Sequence, residues 1–554
     1  MIEIRDFGFN YKVDFTGLKE DYSKFFTTIN NIPDTSKLKK QTGWKMPKCY
    51  LPQLEEQYTI KLIANEWDDI GEGLKLTPYC YQKEAIKFAI DNHKALLILP
   101  CGAGKTIILI GIYHELRKRH LTDKPVAIIV KASLKYQWVQ EVIKFSDYKV
   151  KAIDTPAKTK SKFDNQFEDT DVFILNYETL KNDKVVAKLK EKNIETLLCD
   201  EIHYINNHSS ARSKAIYQFN DLKYIIGATA TPITNNPENL FGIFNLIDKD
   251  LFNSYSKFSK NYIKYAGYGR VAGVKNEEHL KNKIQPYIFI KSEEDVADQL
   301  PRLIVTQKYC EMPDNMLELN NHIFEELDKA REDVDTIEKH LLKVNKGNTE
   351  ILLNDEAYLV AKGKVMAYQT FLQELVDDPR LLTNSESNMA QSYICTDISP
   401  KLNLFIELVD EILNAGNKVC IFTKYARMQS ILKECLENIF NINCAIVNGS
   451  MSAEERYEQA YTLFSDNDNY KILIGTDAMS EGISLNKCNY LIEYDLADSY
   501  AIQTQRHGRI KRANSIHKTS YVYQIICYNS YDEIQAKIIA KKEDYDNNLI
   551  KSLN

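Results

Sequence analysis

Residues 94–120 read Lys94-Ala-Leu-Leu-Ile-Leu-Pro100, then Cys101-Gly-Ala-Gly-Lys-Thr106, then a stretch from Ile107 to His120. The apolar run before Pro100 predicts a strand buried on both faces, and the stretch after Thr106 predicts a helix. Gly102, Ala103 and Gly104 lie in the turn, where the two glycines let backbone N–H groups approach phosphate oxygens with no side chain in the way. Lys105 would then reach the terminal phosphates of a nucleotide, Thr106 would ligate Mg²⁺, and the helix N-terminus would add its dipole. The general phosphate-loop pattern has a glycine where this chain has Leu99. A glycine turn with a surface lysine is the plainer alternative.

The same reading extends outward. Thr196-Leu-Leu-Cys-Asp200-Glu201-Ile-His203 is an apolar run that ends in two carboxylates. An aspartate at a strand end can hold a Mg²⁺ shell, and the adjacent glutamate can orient or deprotonate an attacking water. An Asp-Glu pair opening a solvated helix is the alternative, and it fits less well beside a phosphate loop in the same sheet. Further short apolar runs at Val126–Val130, Val172–Leu175 and Tyr224–Ile226 alternate with helical stretches, which predicts a parallel sheet covered on both faces. Residues 252–395 break that rhythm with a charged helical segment, Met316 to Val344. The alternation returns at Val419–Phe422, Cys444–Val447, Ile472–Ile474, Tyr490–Tyr494 and Tyr521–Ile526, and Tyr531–Ile550 reads as one charged helix.

The expected organisation is therefore α/β: a small N-terminal domain (1–70), a first parallel-sheet domain (71–251), a helical insertion (252–395), a second parallel-sheet domain (396–530) and a C-terminal helix (531–554). A length of 554 residues agrees with several cores. No window approaches the roughly 20 uncharged apolar residues of a membrane span, and Met1-Ile-Glu-Ile-Arg5 lacks a signal-peptide core. The expected location is the cytoplasm, that of the host for a viral source, or the nucleus for a eukaryotic one. Eleven cysteines are scattered singly with no C-x-x-C pair, which reads as free thiols in a reducing compartment rather than structural zinc. A net charge of −6 leaves nucleic-acid binding open, because local patches decide it, and argues against a histone-like coat.

The segments between these motifs resemble, in order, the Swi/Snf-type superfamily 2 DNA-dependent ATPases. Ala127-Ile-Ile-Val-Lys-Ala-Ser133-Leu-Lys-Tyr-Gln137-Trp138 looks like their motif Ia, and Asn176-Tyr177-Glu-Thr179-Leu180 is similar to their T-Y-E-T-L segment. Asp200 to Lys214 resembles the D-E-x-H box and its continuation, and Gly227-Ala-Thr229-Ala-Thr231-Pro232 resembles motif III. Phe289 to Pro301 resembles the family's R-R-x-K-x-D-V…L-P segment, with Lys where Arg is usual. Thr423-Lys424, Asn448-Gly449-Ser450, Gly475-Thr476 to Gly482, and Gln505-Arg506-His-Gly508-Arg509-Ile-Lys-Arg512 resemble the motifs of the second domain.

The resemblance implies two tandem RecA-like domains that take ATP and Mg²⁺ between them. Lys105, Asp200 and Glu201 would be catalytic, with Arg506 and Arg509 as arginine fingers on the transition-state charge. Gln82 would read the adenine edge, or be a helix-surface glutamine. Gly482 would join the nucleotide contacts, and Thr106 and Asp200 the metal. His203, Thr229 and Thr231 would couple hydrolysis to DNA. Ser133, Tyr177, Thr179, Thr423, Lys424, Asn448, Gly449, Ser450 and Thr476 would touch the DNA backbone, or be loop residues that cap helices.

Phe25 to Pro33 and Gly43-Trp44-Lys-Met-Pro47 faintly resemble the HARP-type module of annealing helicases, or form a small capping subdomain. The expected activity is ATP-driven movement along double-stranded or branched DNA, remodelling, annealing or branch-migrating it. A strand-separating DNA or RNA helicase is the alternative. No membrane partner is expected.

Overall fold

The computed structural model describes residues 2–7, 10–15, 25–29, 36–37, 44–47, 58, 60–63, 69–155, 159–230, 238–265, 271–345, 352, 354–383, 387–393, 395, 398–480, 483, 485–513 and 515–553. Two compact units account for them. One comprises residues 1–93, 106–123 and 142–148, and the other 94–105, 124–141 and 149–554.

The first unit carries a five-stranded sheet of β1 (Ile2–Phe7), β2 (Asn10–Phe15), β3 (Ser36–Lys37), β4 (Trp44–Pro47) and β5 (Ile60–Ile63), in the order β3-β4-β2-β1-β5. It also holds α1 (Cys80–Asn92) and, from Thr106, α2 (Lys105–Lys118). Here Glu115, fully buried, accepts from the Gly71 N–H at 2.8 Å and pairs with Arg119 at 2.9 Å. Asp69 adds ion pairs to Arg119 and Lys118, which fasten residues 69–72 to α2. Of the HARP-like pattern, Trp44–Pro47 forms β4, while Gly43 and residues 30–33 lie outside the described residues.

The second unit contains two all-parallel sheets. The first runs β14-β6-β11-β10-β7-β9-β8, from β6 (Lys94–Ile98), β7 (Val126–Val130), β8 (Val150–Ala152), β9 (Val172–Asn176), β10 (Thr196–Asp200), β11 (Tyr224–Thr229) and β14 (Ile288–Ile290). A separate hairpin, β12 (Ile263–Tyr265) and β13 (Val271–Val274), lies outside it. The central strands β7, β10 and β11 have no exposed residue, which is why their sequences are near-continuous runs of Val, Ile and Leu. On one face Ala127, Ile129, Leu197 and Cys199 pack with Val185, Val186 and Leu189 of α4 (Asp183–Glu191) and with the apolar side of α5 (Glu238–Ile247), α3 being Lys135–Phe145.

The second sheet runs β15-β20-β19-β16-β18-β17, from β15 (Arg302–Cys310), β16 (Val419–Phe422), β17 (Asn443–Val447), β18 (Tyr470–Gly475), β19 (Tyr490–Glu493) and β20 (Thr519–Cys527). The two-residue period of a strand sorts its core into two layers. Val419, Ile421, Ile472 and Ile474 join α8 (Pro400–Asn414) and α9 (Ala426–Phe440), whereas Cys420, Phe422, Leu473 and Val522 join Phe464, Met479 and Ile510. Between β15 and β16 in sequence stand two long helices, α6 (Asp314–Val344) and α7 (Glu356–Asp377), packed through Ile323, Leu327, Phe371 and Leu375.

Residues 252–395, read from the sequence as helical, also supply strands, and besides the β12–β13 hairpin two of them join the parallel sheets. Ile288–Ile290 returns to the first sheet beside β6, and Arg302–Cys310 joins the second beside β20. The first is three residues long, and the second is an edge strand with polar residues in its alternation, so neither carries a buried-strand run.

A fully buried ion cluster closes the second sheet. Lys401 of α8 lies 2.8 Å from Asp377 of α7 and 3.2 Å from Asp532 of α11 (Tyr531–Leu553), and Gln373 donates to both aspartates at 3.0 Å. Removing one member of such a cluster strands buried charge, which costs about 3–5 kcal/mol. Lys401→Met is expected to destabilise the chain by about that much in chemical denaturation. Lys401→Met combined with Asp377→Leu should recover part of the loss.

Candidate active site

The turn after β6 is closed by the Ala103 N–H donating to the Pro100 carbonyl at 3.3 Å, and Gly102 holds φ +81°, a left-handed value. A Cβ on Gly102 would lie 2.2 Å from the Lys511 carbonyl oxygen, and one on Gly508 would lie 2.7 Å from the Cys101 Cβ. Two glycines from distant segments thus let the turn after α10 (Tyr500–His507) sit directly on the phosphate-type loop. Lys511 fastens it with an ion pair to Glu293 at 2.5 Å, from the crossing between β14 and β15.

This approach gathers charge. Lys105, Arg509 and Arg512 all act electrostatically on the buried Cys101, and so does Glu201. Burial and the like charge of Arg512 push Arg509 below the usual guanidinium range, and burial does the same to Arg512. Arg509 donates to the Gln505 and Ile483 carbonyls at 3.0 and 2.8 Å. The Arg512 Nε has no hydrogen-bond partner among the described residues. Two arginines held against desolvation, with Lys105 acting on the same loop cysteine, form a site that a polyanion would relieve.

The carboxylates face it from the end of β10. Asp200 accepts from the Trp138 Nε1–H and from the Glu201 N–H, both at 3.1 Å. Burial, then the neighbouring Glu201, raise its pKa from 3.8 to about 6, against the pull of Lys105. Burial would raise Glu201 as well, yet Lys105, His203 and Arg509 hold it down to about 2. Glu201 adopts φ +49°, a strained value for a residue with a side chain. Its carboxylate lies 3.2 Å from the His203 Nδ1 and accepts from the Thr229 hydroxyl at 3.4 Å, and His203 and Thr229 are 3.1 Å apart. Motif III thus touches the catalytic-type glutamate through Thr229, while Thr231 and Gly482 lie outside the described residues.

Arg506 is engaged elsewhere. It has no exposed surface, donates to Asp477 and to the Asp495 carbonyl at 2.8 Å each, lies 3.4 Å from Glu493, and covers the Phe422 ring at 5.2 Å. Its place in the last turn of α10 turns it into the second sheet, whereas Arg509 and Arg512 follow the helix end and face the phosphate-type loop. Arg512 was missed in the sequence as a partner of Arg509; their three-residue spacing was the available signal. Gln82 and Thr106 belong to the first unit, where the buried Gln82 accepts from the Tyr79 N–H at 2.8 Å and so caps α1.

The expected DNA-contact residues divide by exposure. Ser133, Gly449 and Ser450 are exposed. Lys424 pairs with Asp498, and Asn448 accepts from the Ser450 hydroxyl at 2.7 Å. Tyr177, Thr179, Thr423 and Thr476 are buried. The Tyr177 hydroxyl donates to the Asp200 carbonyl at 2.8 Å, and Thr423 donates to Asp495 at 2.8 Å. These two brace the carboxylate strands. A cationic cluster not marked in the sequence lies next to Tyr177: Lys131 and Arg212 sit 5.2 and 5.3 Å from the Tyr204 ring, which stacks on Tyr177.

These groups define the class of phosphate-loop proteins built on two tandem parallel sheets. Residues 81–381 match the SNF2-related domain and residues 401–514 the helicase conserved C-terminal domain. The first match alone takes in more than half of the 554 residues, and the chain belongs to the SNF2-related family. YwqA of Bacillus subtilis, which bears the name of an ATP-dependent helicase/translocase, is 24% identical over 493 residues, 88% of this chain and 50% of YwqA. The uncharacterized ATP-dependent helicase YqhH of the same organism is 23% identical over 516 residues, 91% of this chain and 86% of YqhH. The human SWI/SNF-related matrix-associated actin-dependent regulator of chromatin subfamily A containing DEAD/H box 1 is 22% identical over 515 residues, 85% of this chain and 49% of that protein. The chain thus spans about half of two of these relatives and most of the third. A Sulfolobus solfataricus SWI2/SNF2 ATPase core solved in complex with dsDNA aligns with a TM-score of 0.39 at 22% identity, over 87% of this chain and 94% of that one. Among the described residues no helix is long and apolar enough to cross a membrane.

Asp200 gives a pH signature. Its folded pKa of about 6 exceeds the ordinary 3.8, so the folded chain keeps a proton that the unfolded chain has lost. Its ionisation therefore subtracts stability as pH rises from about 4 to about 6, and the loss persists at neutral pH. Asp200→Asn is expected to raise the melting temperature near neutral pH by a few degrees, with the gain shrinking as pH falls through about 6 in thermal scans.

Proposed function

We propose that this chain hydrolyses ATP and uses the cycle to move along double-stranded DNA. The observation that carries the reading is the convergence of Lys105, Arg509 and Arg512 on one phosphate-type loop opposite Glu201. Membership of the SNF2-related family and the helicase and helicase/translocase names of its relatives support it.

In this reading the loop at Gly102, Ala103 and Gly104 cradles the phosphates, and Lys105 neutralises the terminal ones. Asp200 suits a Mg²⁺ shell: its carboxylate is a hard oxygen donor that, among the described residues, accepts hydrogen bonds only from Trp138 and the Glu201 N–H, and whose burial a cation would offset. Bound Mg²⁺ would neutralise charge on the transferring phosphoryl group. Glu201, ionised at neutral pH, positions the attacking water and draws off its proton. Arg509, with Arg512 beside it, stabilises the charge that develops on the γ-phosphate. Arg506 holds the turn that presents them. His203 and Thr229 transmit the state of Glu201, and the adjacent Lys131, Tyr204 and Arg212 cluster, with Ser133, Lys424, Asn448, Gly449 and Ser450, takes DNA phosphates. Forked or branched DNA is the finer substrate we propose, remodelled, annealed or branch-migrated as the motor advances.

The test is ATP turnover with no nucleic acid, single-stranded DNA, duplex DNA, forked DNA or RNA. Duplex or forked DNA is expected to stimulate, with forks strongest if branched DNA is the substrate. Stimulation by single strands or RNA alone would instead assign a strand-separating helicase. Glu201→Gln should lower turnover by about 10²–10⁴-fold, and Arg509→Ala by about 10³-fold with nucleotide affinity largely kept. Arg506→Ala should instead lower the melting temperature, because it strands Glu493 and Asp495 in the second sheet.

A further inference from the structure

Cys310 and Cys527 lie 217 residues apart in the chain and end two adjacent strands as Cα partners in the parallel register of β15 and β20. Side chains in register on neighbouring parallel strands point to the same face, and such strands run about 4.7–4.9 Å apart. That separation falls within the roughly 4.4–6.8 Å between Cα atoms that a disulfide spans. The Cys527 thiol acts on the Cys310 sulfur as a neighbouring hydrogen-bonding group, and the Cys310 S–H faces the Ile526 carbonyl oxygen at 3.8 Å. Access differs between them: Cys310 is half-buried at the sheet edge and Cys527 is fully buried.

The surroundings set an order of attack. The hydrogen bond from Cys527 holds the Cys310 thiol below the ordinary thiol range; burial opposes this, and the Lys401 charge assists it. The same hydrogen bond, burial and Asp532 push the Cys527 thiol up. The more exposed sulfur is therefore also the better nucleophile.

We infer that Cys310 and Cys527 form a reversible dithiol–disulfide site oxidised by hydroperoxides. The Cys310 thiolate attacks the peroxide, the O–O bond breaks, and water or an alcohol leaves, giving the sulfenic acid. The Cys527 sulfur then attacks the Cys310 sulfur, the S–O bond breaks, and the hydroxyl departs with the Cys527 proton as water. Two thiols lose two electrons and two protons, and the peroxide takes them up. The bond ties the strand that feeds α6 to the strand that feeds α11, beside the Lys401, Asp377 and Asp532 cluster. Cys420 and Cys488 also interact, but both are buried in the core, where a peroxide has no access.

The full chain is treated with stoichiometric hydrogen peroxide, alkylated, digested and mapped by mass spectrometry. The expected product is a peptide pair joined through Cys310 and Cys527, lighter than its parts by two hydrogens and separated by dithiothreitol. Cys310→Ser should leave Cys527 alkylated, and Cys527→Ser should leave a dimedone-reactive sulfenic acid at Cys310. The exposed Cys80 serves as an internal control for unpaired oxidation. Sulfinic acid at Cys310 with Cys527 still reduced in the unsubstituted chain would overturn the inference, as would cross-linking confined to other cysteines. Should Cys527→Ser not fold, Cys310→Ser and the unsubstituted chain decide between these outcomes.

Discussion

The rest of the candidate site depends on opposed charge held in a dry place at the end of β10. That strand has no exposed residue and ends on the buried Asp200, with the part-buried Glu201 directly after it, so little solvent is left to share their charge. They resolve the problem unequally. Asp200 drifts toward its protonated form, while Glu201 is kept ionised by Lys105, His203 and Arg509. The division suits phosphoryl transfer, which needs one carboxylate ready for a cation and another ready for a water. The left-handed backbone at Glu201 accompanies it, aiming the side chain across the loop where an ordinary strand exit would carry it away.

The cationic half of the site is held by a different device. Arg509 and Arg512 have poor local compensation, and only the close approach allowed by Gly102 and Gly508 gives them a role. The turn that bears them hangs from Arg506, which the second sheet grips through Glu493, Asp477 and the Asp495 carbonyl. The Asp495 carboxylate accepts from Thr423 and from the Lys424 N–H, so the arginine turn and the motif resembling a DNA contact share one buried aspartate, the first through its backbone and the second through its side chain. A movement of either would be felt by the other, which is the kind of linkage a motor requires.

Much of this was legible in the sequence. Fully buried parallel strands must be apolar along their length, so β6, β7, β10, β11, β16 and β18 announce themselves, and the phosphate-type loop and Asp-Glu ending stand out at their tips. What was not legible has physical reasons. β15 pairs through its backbone at a sheet edge, and Gln307 and Lys308 blur its alternation. Lys401, Asp377 and Asp532 meet only through the fold, and each alone reads as a solvated charge. Arg506 and Arg509 share one motif, and only the end of α10 decides that the first turns inward and the second toward the loop. Tyr177 and Thr423 sit in segments that resemble DNA-contact motifs, yet their hydroxyls brace the backbone and carboxylates beneath them.

The central claim is directed movement on duplex DNA powered by ATP. Displacement of a fluorescent third strand from a DNA triplex measures it most directly, because the duplex need not open for the third strand to be pushed off. The account predicts release that needs ATP and a duplex flank on which to load, and that disappears with Glu201→Gln. ATP hydrolysis stimulated by duplex DNA with no release of the third strand would contradict it.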